Sequence, residues 1–173
     1  MRRFLTATLI LASFSFGPVV VSQKSDTSLN NLSKLLSVGE TAPEWQLRDA
    51  DGNLHTLSQY RGKILVMDFW STWCGPCKDV MSHMQKLHER YKDKEVVVIG
   101  VNSWEKQDPV EVMKKRHYDY GLLVKGEEIA DAYRVTRLPA VYIIGVDGRI
   151  IYSYEGVYDK NLALVIDKYL KGH

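Results

Sequence analysis

The sequence has little cysteine: Cys74 and Cys77 are the whole supply in 173 residues, and they lie three positions apart. That excludes a disulfide framework, because closing so short a loop removes little entropy from the unfolded chain. A structural zinc site is excluded on similar grounds. It needs four protein ligands, and Cys77, His83 and His88 on one helix do not converge on a common centre. Charge of one sign is lacking too. Lys and Arg number 23 against 21 Asp and Glu, for a formal net charge of +2. With no basic stripe interleaved with aromatics, nucleic acid is not expected as a partner. Neither G-x-x-x-x-G-K nor G-x-G-x-x-G occurs, so no nucleotide cofactor is expected, and no metal. No internal repeat or low-complexity tract is present, which excludes solenoids and arrays.

What is present suffices for one compact domain, since 45% of the residues are hydrophobic. The N-terminus reads as a targeting segment. Arg2 and Arg3 give a positive start, Phe4 to Val21 carries no charge, and Gly17-Pro18 breaks any helix before the small Ser22. Residues 1–22 are therefore expected to be a secretory signal, with an uncleaved membrane anchor as the rival reading. No cysteine lies near the end of the run, which excludes an N-terminal lipid-modified cysteine. The polar stretch 23–37 reads as a linker, and the folded domain as 38–173.

Within that domain, "EWQLRDADGNLHTLSQY" predicts two short strands around a turn at Asp51-Gly52. "KILVMDFW" predicts a strand buried on both faces. A helix is expected from about Gly75 to Tyr91, with Val80, Met84, Leu87 and Tyr91 on one face. "KEVVVIGVN" predicts a second buried strand. The next helix is expected to have Asp108 as its N-cap and Pro109 at its first position. "EEIADAYRV" predicts a short helix and "LPAVYIIGVDGRIIYSYEG" a hairpin turning at Asp147-Gly148. "DKNLALVIDKYL" closes the chain as an amphipathic helix. This order implies an α/β sandwich, a mixed sheet with helices on both faces.

The two cysteines sit where the first buried strand ends and a helix begins. Cys74 is expected at the helix N-cap, where unpaired N–H groups and the helix dipole stabilise a thiolate. Cys77, one turn on, is placed to attack a mixed disulfide on Cys74. A strand–CxxC–helix redox site follows. Asp68 is a carboxyl inside an apolar strand, where burial raises its proton affinity towards neutrality.

"WCGPC" after "DFWSTW", followed by "VVVIGVN" and "IADAYRVTRLPAVYIIGVDGRI", resembles the thioredoxin superfamily. The wider pattern, from about Val38 to Leu170, is similar to its TlpA/ResA-like extracytoplasmic branch. The resemblance implies a thioredoxin-like three-layer sandwich with an N-terminal β-hairpin extension. It implies that Cys74 attacks and Cys77 resolves. Trp73 would shield the pair and help to dock substrate, while Gly75 and Pro76 tune its potential. It makes Pro139 a cis-proline opposite the disulfide, with Leu138 and Ala140 beside it and the preceding backbone pairing with substrate like a strand. It makes Asp68 the buried aspartate that helps deprotonate the resolving thiol.

Two positions depart from the branch. Val80 stands where a glutamate is common, with Asp79 beside it, and Ser82 replaces a helix-kinking proline, so a straighter helix is expected. The implied function is an exported, extracytoplasmic thiol-disulfide oxidoreductase, monomeric and without a cofactor. It would act on protein disulfides, be re-reduced by a membrane electron donor, and serve cytochrome c maturation as relatives do. A thiol peroxidase is the alternative enzyme, with Ser71 in the slot of its threonine. A redox-inactive docking module is the alternative binding role.

Overall fold

A computed structural model describes residues 35–156 and 161–172. The segments read as signal or anchor, and most of the linker, lie outside the described residues. Among those described, no helix is long and apolar enough to cross a membrane.

The fold is built around β3 (Ile64–Trp70), all seven of whose residues are buried. An apolar strand of this kind needs cover on both faces and neighbours on both edges, and it has them. Parallel to it runs β4 (Val96–Asn102), and antiparallel to it runs β6 (Ala140–Ile144). Two edge strands, β5 (Gly121–Leu123) and β7 (Ile150–Glu155), complete a sheet of order β5-β4-β3-β6-β7. Alternation along β3 divides the core. Leu65, Met67 and Phe69 pack with Trp45, Ile129, Tyr133 and Tyr142 on one face. Ile64, Val66 and Trp70 face the other way, onto Val80, Met81, Met84 and Tyr91 of α1 (Cys77–Tyr91). Met113 of α2 (Pro109–Lys115) and Leu162 and Ile166 of α4 (Leu162–Lys171) join that second face. The short α3 (Glu127–Ala132) covers the first. This is the expected three-layer sandwich.

The N-terminal hairpin is present as β1 (Gln46–Arg48) and β2 (Leu54–Thr56), with Gly52 at φ 87° in its turn. It forms its own two-stranded sheet and touches the main one through a bridge between Asp49 and Leu123. Two elements were not foreseen, the 3-10 turn Leu57–Tyr60 and β5 itself.

Two local expectations are corrected. The helix after the cysteine loop begins at Cys77, with Pro76 as its N-cap, and not at Gly75. The proline ring disfavours a helical residue before it, so Gly75 stays outside. The helix then runs unbroken for 15 residues through Ser82. Leu36, in the stretch read as linker, is buried; its N–H donates to Tyr142 Oη at 3.0 Å. The strand edge of β7 explains this. Gly39 donates to the Ile150 carbonyl and Ile150 to that of Glu40, so the incoming chain covers unpaired backbone groups.

Candidate active site

Three chain segments meet at one end of the sheet because register brings them there. Trp70, the last residue of β3, pairs with Asn102, the last of β4. Phe69 pairs with Ala140, the first residue of β6. The loop from Ser71 to Pro76, the turn after Asn102 and the Leu138-Pro139 peptide therefore lie together. That peptide is cis. Leu138 is half-buried and packs on both core clusters, including the one that holds the cysteines. Pro139 is buried.

Cys74 and Cys77 form a disulfide with Cα atoms 5.4 Å apart. Cys74 is 5% exposed and Cys77 is fully buried. Since Pro76 is the N-cap, Cys74 lies two residues outside the position expected for it. Its sulfur nevertheless accepts the N–H of Cys77, the first helical residue, at 3.2 Å. The electrostatic contact with the helix start thus survives the shift, through one amide. The next two amides are occupied: Lys78 donates to the Gly75 carbonyl and Asp79 to that of Pro76. Gly75 and Pro76 are exposed, and Trp73 is 54% exposed.

The loop is held in place by residues the sequence reading did not single out. Glu105 accepts from Thr72 N–H at 2.8 Å, Thr72 Oγ1 at 2.6 Å and Asn102 Nδ2 at 2.7 Å. It also accepts from the backbone N–H groups of Lys106 and Gln107. Partial burial raises its proton affinity, but the bonds from Asn102, Thr72 and Lys106 outweigh that and hold its pKa at about 2. The Trp73 indole N–H donates to the Trp104 carbonyl at 2.8 Å, and Trp104 N–H donates to Glu127. The Ser71 hydroxyl donates to the Ser103 carbonyl. The bonds from Ser71, Thr72 and Trp73 cross 31 to 33 residues of chain, so no local pattern announces them.

Glu105 yields a pH prediction. Its pKa is depressed from 4.5 to about 2 on folding, so its contribution is complete above about pH 4.5 and is lost as pH falls towards 2. Discounted for screening at a partly exposed site, Glu105→Gln is expected to cost about 1–2 kcal/mol at pH 7. Urea unfolding should show the gap to the unaltered protein closing near pH 2. An equal gap at both pH values would refute the anchoring role.

Asp68 is fully buried on the α1 face of the sheet, and neither carboxyl oxygen has a hydrogen-bond partner among the described residues. Burial raises its pKa well above the ordinary carboxylate range. It does not bond either cysteine directly. A groove of about 440 Å³ opens beside the loop, between Trp70, Ser71 and Thr72 and the α2 residues Val112 and Lys115. Among the described residues no cluster of three His, Cys, Asp or Glu could hold a metal ion.

Comparison with known proteins agrees with this geometry. The sequence profile of the AhpC/TSA family matches residues 38–153. The thiol-disulfide oxidoreductase ResA of Geobacillus kaustophilus is 35% identical over 130 residues, covering 72% of this chain and 73% of the relative. ResA of Oceanobacillus iheyensis is 31% identical over 175 residues, covering 95% and 82%. Among solved structures, a Chlorobium tepidum protein provisionally described as thiol:disulfide interchange protein DsbE superposes with a TM-score of 0.69 at 26% identity. It covers 78% of this chain and 99% of its own. A second Chlorobium tepidum thioredoxin-family protein, at 20% identity and a TM-score of 0.68, shares the fold. With its thioredoxin-like sandwich and a paired Cys74 and Cys77, the chain belongs to the AhpC/TSA family and is a thiol-disulfide oxidoreductase.

Proposed function

We propose that this oxidoreductase works outside the cytoplasm and reduces disulfides in protein substrates, cytochrome c apoproteins with their CxxCH segments among them. The observation that carries the reading is the cysteine pair at the β3–α1 junction, with the cis Leu138-Pro139 peptide at the same end of the sheet. Export rests on Arg2, Arg3 and the uncharged run that follows them.

In the reducing direction the Cys74 thiolate attacks one sulfur of the substrate disulfide. The other sulfur leaves as a thiolate and takes a proton. Cys77 then gives its proton to Asp68 and attacks Cys74 Sγ. The second substrate thiol departs, and two electrons have passed to the substrate. The N–H of Cys77 favours the thiolate on Cys74. Exposed Trp73, Gly75 and Pro76, with Leu138 beside Pro139, form the docking surface, where an extended substrate segment pairs with the backbone before the proline. A membrane electron donor of the thiol-reducing type restores the dithiol, since exported compartments hold no reducing thiol pool. A peroxidase reading gains nothing from Ser71, whose hydroxyl is buried and committed to Ser103.

The test is the reduction potential of the pair, equilibrated against glutathione. A value near about −270 mV is expected for a reductant. A value between about −120 and −180 mV would reverse the proposed direction. Absence of a reversible two-electron couple would remove the proposal altogether.

A further inference from the structure

Asp68 faces an unusual neighbour. In the parallel pairing of β3 with β4 it lies opposite Gly100, which has no side chain to offer. The space above Gly100 is occupied from elsewhere. A Cβ built there would lie 2.7 Å from Trp70 Nε1 and 3.2 Å from Tyr120 Cε2. Three buried polar residues thus gather about this position: Asp68 on the neighbouring strand, Trp70 with its indole N–H over Gly100, and Tyr120 with its ring edge over it. None of their side-chain polar groups has a hydrogen-bond partner among the described residues. Leaving three buried polar groups unpaired is costly and uncommon, and here they share a neighbourhood. The charge of Asp68 is felt at Tyr120, where burial first and Asp68 second keep the phenol protonated.

The surroundings leave Tyr120 as the distinctive partner. On this face β4 and β6 offer Val98, Val141 and Ile143, and α4 offers Ile166. From α1 come Cys77, Met81 and Met84, and also Tyr91, whose hydroxyl donates to Asp167. Tyr118 stacks obliquely against Tyr120 at 6.0 Å, and Tyr152 and Tyr169 pack against the same cluster. The acidic Glu89 and Asp119 are both held by Gln85. Burial is what raises the proton affinity of Asp68.

We propose that Tyr120 is a positioning residue for Asp68: its hydroxyl donates to the Asp68 carboxylate when that group gives up its proton, and so sets the pH at which Cys77 is activated. Trp70 is the second donor, and Gly100 is glycine because both rings must reach over it. In the oxidised form Asp68 holds its proton and the groups stand apart. After reduction, an ionised Asp68 accepts the proton of Cys77, and the Tyr120 hydroxyl is what makes that ionised form accessible. The inference rests on the reading of Asp68 as proton acceptor.

The experiment uses the full chain, reduced and mixed with 5,5′-dithiobis(2-nitrobenzoate). The first thionitrobenzoate released reports attack by Cys74, and the second reports resolution by Cys77. Alongside it, the Asp68 carboxyl is titrated by ¹³C NMR, with Asp68→Asn identifying the signal. Tyr120→Phe is expected to move the Asp68 midpoint up by about one pH unit, a tenfold change in proton affinity. The pH midpoint of the second release should move with it, while the first release is unchanged. Fluorotyrosine at position 120, a stronger donor of nearly the same shape, is expected to move both midpoints down. A purely structural role would not give shifts of opposite sign. If neither replacement moves the Asp68 midpoint, the proposal is wrong while the role of Asp68 stands. If Asp68→Asn leaves the second release and its pH profile untouched, Asp68 is not the acceptor and the proposal falls with it.

Discussion

Cys77→Ser is expected to stop turnover while leaving the first chemical step intact. Cys74 keeps its sulfur and the N–H of residue 77, so it still attacks a substrate disulfide. A serine hydroxyl cannot replace the thiolate as the attacking group on Cys74 Sγ, so the mixed disulfide accumulates. Loss of a nucleophile that acts in every cycle should cost on the order of 10³-fold or more in steady-state rate. A non-reducing gel should show protein covalently joined to substrate, releasable by dithiothreitol, and Cys74→Ser should show none. Turnover within tenfold of the unaltered protein would mean that Cys77 does not resolve.

Asp68→Asn is expected to make the protein more stable and slower. The sign follows from linkage. Burial raises the Asp68 pKa above its value of 3.8 in the unfolded chain. Between 3.8 and the raised value the unfolded chain has lost this proton and the folded protein still holds it. Stability therefore falls as pH rises through that window. Asn preserves the shape and removes the titration. The gain should grow by about 1.4 kcal/mol for each pH unit above 3.8 until Asp68 ionises in the folded protein, and should vanish below about pH 4. The resolving step should slow on the order of 10²-fold at pH 7, the scale of general acid–base assistance. Denaturant unfolding at two pH values, with stopped-flow thiol release, reads both effects. A variant no more stable at pH 8 than the parent would show that the Asp68 carboxyl is solvated or paired in solution.

The parts of the fold legible in the sequence are those that repeat or punctuate locally. The run Ile64–Trp70 is apolar at every position but one, the stripe on α1 has helical spacing, and Asp51-Gly52 and Asp147-Gly148 mark turns. The redox pair Cys74 and Cys77 followed from its place between strand and helix, and the cis Leu138-Pro139 peptide from the resemblance to the thioredoxin superfamily. Missed features have a different physical character. Strand β5 has three residues, too few for a period to show, and it exists because β4 needs a neighbour. Leu36 is buried because β7 has an open edge, which its own sequence does not state. Glu105 looks like one more exposed acid in "SWEKQD" until the fold brings Thr72 to it. The helix starts two residues later than its apolar spacing suggests, because Pro76 keeps Gly75 out of the helical conformation.

The unequal burial of the two sulfurs has a consequence for traffic. Cys77 is sealed, and Cys74 presents a sliver of surface beside an exposed Trp73. Electrons therefore enter and leave this protein through a single doorway. The donor that reloads it and the client that discharges it must queue for the same sulfur. Neither can wait bound while the other reacts, so the two take turns, one on each redox state of the pair.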